Sequence, residues 1–178
     1  MAVFGAFWGI AGVVLLLASA IYRLAPLAVD ALSRDWSLRH WIATLLVVFF
    51  MAYAEGYRAF QKAFSPRVAA RARYLKDHPN MLHALLAPFF CMAYFHAPRR
   101  RRITSISVTA GIVVLVILVR MLEQPWRGII DGGVVIGLAW GLVSLLVFTY
   151  QAFTLSEFPY SPEVPEPSGG TQKLPSPS

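Results

Sequence analysis

The amino-acid sequence predicts an all-α integral membrane protein with four transmembrane helices and one further short helix, re-entrant or interfacial; five transmembrane helices are the alternative. Three observations carry this expectation. Hydrophobic residues make up 57% of the 178 and charged residues only 14%, against about a quarter charged in soluble domains. The apolar residues fall in runs near the length of about 20 that a helix needs to cross the hydrocarbon. The cations cluster, ten of the sixteen Lys and Arg lying between Arg58 and Arg102. A water-soluble fold is excluded, and the chain leaves no room for a soluble catalytic domain between its spans. Residues 1–155 are read as one polytopic helical bundle, with spans at about 3–22, 41–60, 103–122 and 132–153. Residues 156–178 follow as a tail.

The first span, 3–22, carries no charge. Ala18-Ser19-Ala20 resembles a cleavage site, but no Lys or Arg precedes it, so the helix is expected to be retained. Gly5 and Gly9 suit close helix contact. Residues 23–40, with Pro26, three Arg and two Asp, read as a loop whose middle forms at most a turn of surface helix. Trp36 and Trp41 take interfacial positions within and beyond it.

The second span starts near Trp41, and Glu55 lies about 21 Å further along it. An ionisable group inside a span is a functional candidate by default. Glu55, Arg120, Arg127 and Asp131 therefore form the intramembrane polar set, with Arg58, Arg120 or Arg127 as partners for Glu55. Its roles would be binding a cation, carrying a proton or forming a structural ion pair. Beyond it comes a basic amphipathic segment, 58–76. Ser65-Pro66 restarts a helix there, with Val68, Ala72 and Leu75 on one face and Arg67 and Arg71 on another. An interfacial helix on anionic headgroups fits this pattern.

Residues 81–97 form a short apolar segment at the bottom of the spanning range, broken by Pro88. If it crosses, each side of the membrane receives eight Lys and Arg. If it turns back, one side holds eleven and the other five, and the positive-inside rule then places both termini in the cytoplasm. One local signal runs the other way, since Arg23 follows the first span and no charge precedes it. His83, Cys91 and His96 are metal-ligand types at spacings that match no recognised metal site. Neither a metal nor any other cofactor is expected.

The third span is rich in Val and Ile, and Arg120 with Glu123 and Arg127 with Asp131 have helix-neighbour spacing after it. In the last span Gly133, Gly137 and Gly141 repeat every four residues, a stripe for close approach of another helix of this chain or of a second copy. The tail is rich in Pro, Ser and Gly and is expected to be disordered.

No Gly-rich phosphate loop, Ser-His-Asp pattern or HExxH is present, so an enzyme is not expected. The leading expectation is a non-enzymatic membrane protein with a basic cytoplasmic face built from Arg58, Lys62, Arg67, Arg71, Arg73, Arg99, Arg100, Arg101 and Arg102. Its partners would be anionic membrane lipids, and a protein or a second copy through the glycine stripe. Nucleic acid is not among them, because no RNA- or DNA-reading signature accompanies the charge. The setting would be a bacterial inner (plasma) membrane, crossed several times. The alternative is a small permease or proton-coupled carrier using Glu55.

Overall fold

The computed structural model describes residues 2–78 and 81–164. Among these, all regular structure is helical: α1 (Ala2–Leu32), α2 (Leu38–Met51), a π-helical segment (Ala52–Phe64), α3 (Ser65–Asp77), α4 (Met81–Leu85), α5 (Ala87–Cys91), α6 (Arg99–Arg120) and α7 (Trp126–Thr154). Four continuous stretches are long and apolar enough to cross a membrane: Val3–Leu32, Leu38–Asp77, Arg99–Arg120 and Trp126–Thr154.

The spine is α7, against which α1, α2, the π-helical segment and α3 all pack. α1 runs antiparallel to it. Its last turns lie on the first turns of α7, so that a Cβ at Gly128 would sit 2.3 Å from that of Ala31, and one at Gly132 3.5 Å from that of Ala28. This is why α1 continues to Leu32 where a loop was expected after Tyr22. Pro26 lies inside the helix and removes one backbone donor, but small-residue packing on both sides holds the helix together through that point.

The second span differs from expectation in a related way. Ser65-Pro66 is not a restart after a break, because α2, the π-helical segment and α3 follow without interruption. Most π segments are single turns; this one is thirteen residues long. Its wider winding ends where the Ser65 N–H donates to the Phe60 carbonyl. Pro66, which has no N–H to place, sits directly after that join.

The winding sets what meets the glycine stripe. A Cβ at Gly133 would lie 2.5 Å from Val47 Cγ1 and 3.1 Å from Met51 Cγ; at Gly137, 2.7 Å from Glu55 Oε2; at Gly141, 2.5 Å from Phe60 Cγ. The stripe is therefore filled along its length by the second helix of the same chain. The fit is reciprocal at Gly56, where a Cβ would lie 2.9 Å from Trp140 Cγ.

Residues 81–97 run down α1 and come back. Ala84 lies against Gly5, Ala87 and Cys91 against Gly9, and Pro88 against Gly12. Ala93 and His96 then adopt left-handed backbone conformations with φ of 62° and 49° and reverse the chain. The His83 and His96 rings end 4.7 Å apart, which brings the two arms side by side. The returning arm is tied to α6 by Ser105 Oγ donating to the Met92 carbonyl at 3.0 Å and by a hydrogen bond between the hydroxyls of Tyr94 and Thr109.

Residues 156–164, the start of the segment expected to be disordered, carry no helix but have defined partners. Tyr160 meets Phe148 edge to face with ring centres 5.5 Å apart. The rest of that segment, 165–178, lies outside the described residues. Val13 and Leu17 of α1, Val68 and Leu75 of α3, Phe90 of α5 and Leu145 of α7 form the centre of the buried cluster. α6 stands apart, with Val119 its one buried residue and open space around Gly111.

These two glycines give opposite expectations. Gly128→Ala should lower stability by about 1–3 kcal/mol, because neither the Ala31 Cβ nor the nearby Leu27 carbonyl can move aside as a flexible side chain would. Gly111→Ala should cost nothing and gain up to about 1 kcal/mol of helix propensity. Thermal unfolding of both variants in one detergent checks this, and equal losses would contradict the placement of α6.

Candidate functional site

The cations of the basic region separate into two groups once the helices are packed. Arg71 is fully buried. Its Nε donates to the Phe90 carbonyl at 2.6 Å, Nη1 to the carbonyls of Pro162 at 2.9 Å and Glu163 at 3.4 Å, and Nη2 to those of Phe95 and His96, both at 3.0 Å. The guanidinium also lies 4.1 Å from the centre of the Phe90 ring. Arg73 caps the end of α7, donating to the carbonyls of Ala152, Leu155 and Ser156. Those carbonyls have no further turn of helix to accept from.

This corrects the expected face in two respects. α3 is not an interfacial helix on headgroups: Ser65, Pro66, Val68, Ala69, Ala70, Arg71, Ala72 and Leu75 are all buried. Arg71 is not a surface charge either, since it is buried and its donors are taken up by backbone, while the half-buried Arg73 keeps both terminal nitrogens on the end of α7. The misplacement of Arg71 has a readable cause. It lies three residues after Val68 and four before Leu75, which is the spacing of one helix face, so its phase puts it on the apolar stripe.

The second group stays accessible. Arg58 and Lys62 are exposed on the π-helical segment, and Arg99, Arg100 and Arg102 on the first turn of α6. Arg58 follows Tyr53, the last exposed large apolar side chain of its helix, while Arg102 immediately precedes Ile103, the first of α6. Arg67 and Arg101 lie between the groups. Arg67 donates through Nε to the Ala63 carbonyl at 2.8 Å. Arg101 is held by Glu163, with Nε 2.5 Å from Oε2 and Nη2 2.8 Å from Oε1.

Of the polar residues expected within the membrane, only Arg127 and Asp131 are brought together. Glu55 packs against Gly137, and among the described residues no hydrogen bond or ion pair reaches its carboxylate. Arg127 pairs instead with the buried Asp131, Nε to Oδ2 at 3.6 Å. It lies ten residues before Gly137 on the same helix, about 15 Å away along the axis. Arg120 is exposed at the far end of α6, and Arg58 is exposed on the same π-helical segment that carries Glu55.

His83 and His96 do meet, but in an aromatic stack with Phe90 and Phe95. Burial, followed by the nearby His96 and Arg71, lowers the His83 pKa and favours the neutral ring. Burial pushes the Cys91 thiol up to about 12, with Arg71 acting against it, so the sulfur stays protonated. No group of three potential metal ligands forms among the described residues.

Sequence reasoning missed Tyr160, Ser161 and Glu163, which line a cleft with Lys62, Arg67 and Arg101. Two aromatics, Phe158 and Tyr160, in an otherwise Pro- and Ser-rich stretch were the available signal. No protein-family model, no curated protein and no solved structure matches this chain.

Hydrogen bonds to a charged group contribute about 1.5–3 kcal/mol each, and buried acceptors left unpaired cost more than the bond was worth. Arg71→Met should therefore destabilise by at least about 3 kcal/mol. Arg71→Lys should recover little, because a point-charge ammonium cannot span the three segments that the planar fork reaches. Thermal unfolding, with proteolysis of residues 156–164 as a local readout, tests this. Wild-type behaviour of Arg71→Met would remove Arg71 from the centre of the fold.

Proposed function

We propose that this chain is a non-enzymatic, multi-pass membrane protein whose basic end contacts anionic lipid headgroups on the cytoplasmic side of a bacterial inner membrane. One observation carries the reading: on two separate helices the exposed apolar surface stops where exposed cations begin, at Tyr53 and Arg58 on one and at Ile103 and Arg102 on the other. A ring of cations at the edge of the apolar surface is where headgroup phosphates lie. Arg58, Lys62, Arg99, Arg100 and Arg102 are its members. Arg71 and Arg73 belong to the scaffold.

The same reading takes four spans, with residues 81–97 entering the membrane edge and returning. Its support is the fold-back of α4 and α5 beside Gly5, Gly9 and Gly12 of α1. Each of these helices has five residues and a rise of about 7.5 Å, far short of a crossing of about 30 Å. The positive-inside distribution of eleven Lys and Arg against five then favours both termini in the cytoplasm.

Titration of the detergent-solubilised protein with phosphatidylglycerol, followed by native mass spectrometry, tests the proposal. Each exposed arginine near a charged surface contributes about 1 kcal/mol. Replacing Arg58, Arg99, Arg100 and Arg102 by Gln should weaken binding by about fivefold per position, and added salt should do the same to the wild type. Unchanged binding in the fourfold variant would sink the reading.

A second reading, a small proton-coupled carrier, is favoured by one specific observation, that Glu55 beside Gly137 has no basic partner among the described residues. A carrier of this kind should let proteoliposomes acidify under an imposed potential, and Glu55→Gln should abolish that flux while leaving thermal unfolding unchanged. Equal flux in both forms counts against it.

A further inference from the structure

At the basic end of the bundle lies a cleft of about 200 Å³, below the range of about 300–1,000 Å³ that houses drug-sized ligands. Its size suits a compact anion. Lys62 reaches it from the π-helical segment, Arg67 from α3 and Arg101 from the first turn of α6; Tyr160, Ser161 and Glu163 come from the segment after α7. Three cations thus face one carboxylate.

The donors are unevenly used. Glu163 holds Arg101 by one hydrogen bond from Nη2 and a close ion-pair contact at Nε, and phosphate oxygens are the other acceptors a guanidinium fork takes in this way. Arg67 spends only its Nε, on the Ala63 carbonyl, so its terminal nitrogens carry no hydrogen bond to the described residues. Its guanidinium is close enough to those of Arg101 and Arg71 for charge repulsion and attraction to Glu163 to act on it. Lys62 rests 4.7 Å from the centre of the Tyr57 ring, and no carboxylate among the described residues pairs with it. Arg101 precedes the exposed apolar surface of α6 by two residues, which places the cleft at headgroup depth.

We infer that this cleft binds the phosphate monoester headgroup of a membrane lipid, and that Glu163 occupies its strongest subsite, Arg101, until the phosphate takes that place. The inference rests on the headgroup-binding reading above and narrows it to one lipid chemistry. A monoester presents three terminal oxygens and up to two negative charges, enough to meet Arg101, Arg67 and Lys62 together. A diester presents two oxygens and one charge, which neutralises only one of the three cations.

The experiment uses the full chain in neutral detergent, titrated separately with a phosphatidic acid, a phosphatidylglycerol of the same acyl chains, and inorganic phosphate, with bound species counted by native mass spectrometry. Phosphatidic acid should bind at least tenfold more tightly than phosphatidylglycerol. Lys62→Gln, Arg67→Gln and Arg101→Gln should each bring it down toward the phosphatidylglycerol level, and Glu163→Gln should tighten it severalfold. Lys62→Gln breaks no ion pair or hydrogen bond to a carboxylate inside the protein, so it decides the matter even if the Arg101 variant unfolds. Equal affinity for both lipids, with the outer arginines still required, overturns the monoester site and leaves the broader reading standing. No binding of either lipid removes both. Inorganic phosphate binding as tightly as phosphatidic acid overturns the lipid source, and weaker binding by Glu163→Gln overturns the role given to that carboxylate.

Discussion

A guanidinium buried without a carboxylate beside it is tolerable only if backbone dipoles surround it, and Arg71 is held in this way. Five carbonyls, that of Phe90 at the end of α5, those of Phe95 and His96 in the returning arm and those of Pro162 and Glu163 after α7, converge on its three nitrogens. Phe95, His96, Pro162 and Glu163 belong to no helix that could absorb their carbonyls, and unpaired carbonyls in a dry interior are costly. Each side therefore solves the other's problem: the charge gains acceptors, and the acceptors gain a donor that need not belong to a helix. The consequence reaches the surface. By fixing Pro162 and Glu163, Arg71 sets where the Glu163 carboxylate stands, and so helps define the cleft around Arg101.

A second constraint acts along α7. For helices apolar enough to cross a membrane, lipid chains as apolar as leucine would give burial of apolar area no power to drive association; close packing must. The glycines of α7 allow it, but a stripe at every fourth residue needs a partner whose own ridge keeps pace. Val47, Met51, Glu55 and Phe60 supply that ridge at steps of four, four and five. The last, longer step falls within the π-helical segment. Continued α winding would place the fifth residue about 140° round the axis from Glu55, turning Phe60 away from Gly141. Wider winding brings it back. α6 has no such arrangement, and its side chains face outward around nearly the whole circumference.

How much of this could be read from the sequence follows the same division. The four apolar runs were legible because length and composition alone decide whether a helix can cross. Their ends were not, because Pro26 and Ser65-Pro66 are breaks by local preference and were overridden by packing of Ala28 and Ala31 on α7, and of α3 in the interior. The glycine stripe was visible as a pattern, but which helix would fill it depended on the π winding, for which the residues 52–64 give no local signal. The basic region was legible as a cluster and not as a site. Arg67, Arg71 and Arg73 look alike in a list of charges, and only helix phase separates Arg71, in line with Val68 and Leu75, from its neighbours. Glu163 was hidden for a different reason, since Pro and Ser around it suggest a solvated chain and its order depends on an arginine 92 residues away.

The acidic residues follow the same logic in reverse. Asp131 is buried near the start of α7 with Arg127 one turn before it, so the pair lies within one helix. Glu163 is paired across 62 residues, so its contact exists only when α6 and the segment after α7 are both in place. Glu55 has neither arrangement, although Arg58 lies one turn away in sequence. On the π-helical segment Arg58 is directed outward while Glu55 is pressed against Gly137. The winding that brings Phe60 onto α7 thus also separates an acid from its nearest base. In this bundle, backbone geometry rather than charge attraction decides which ionisable groups meet.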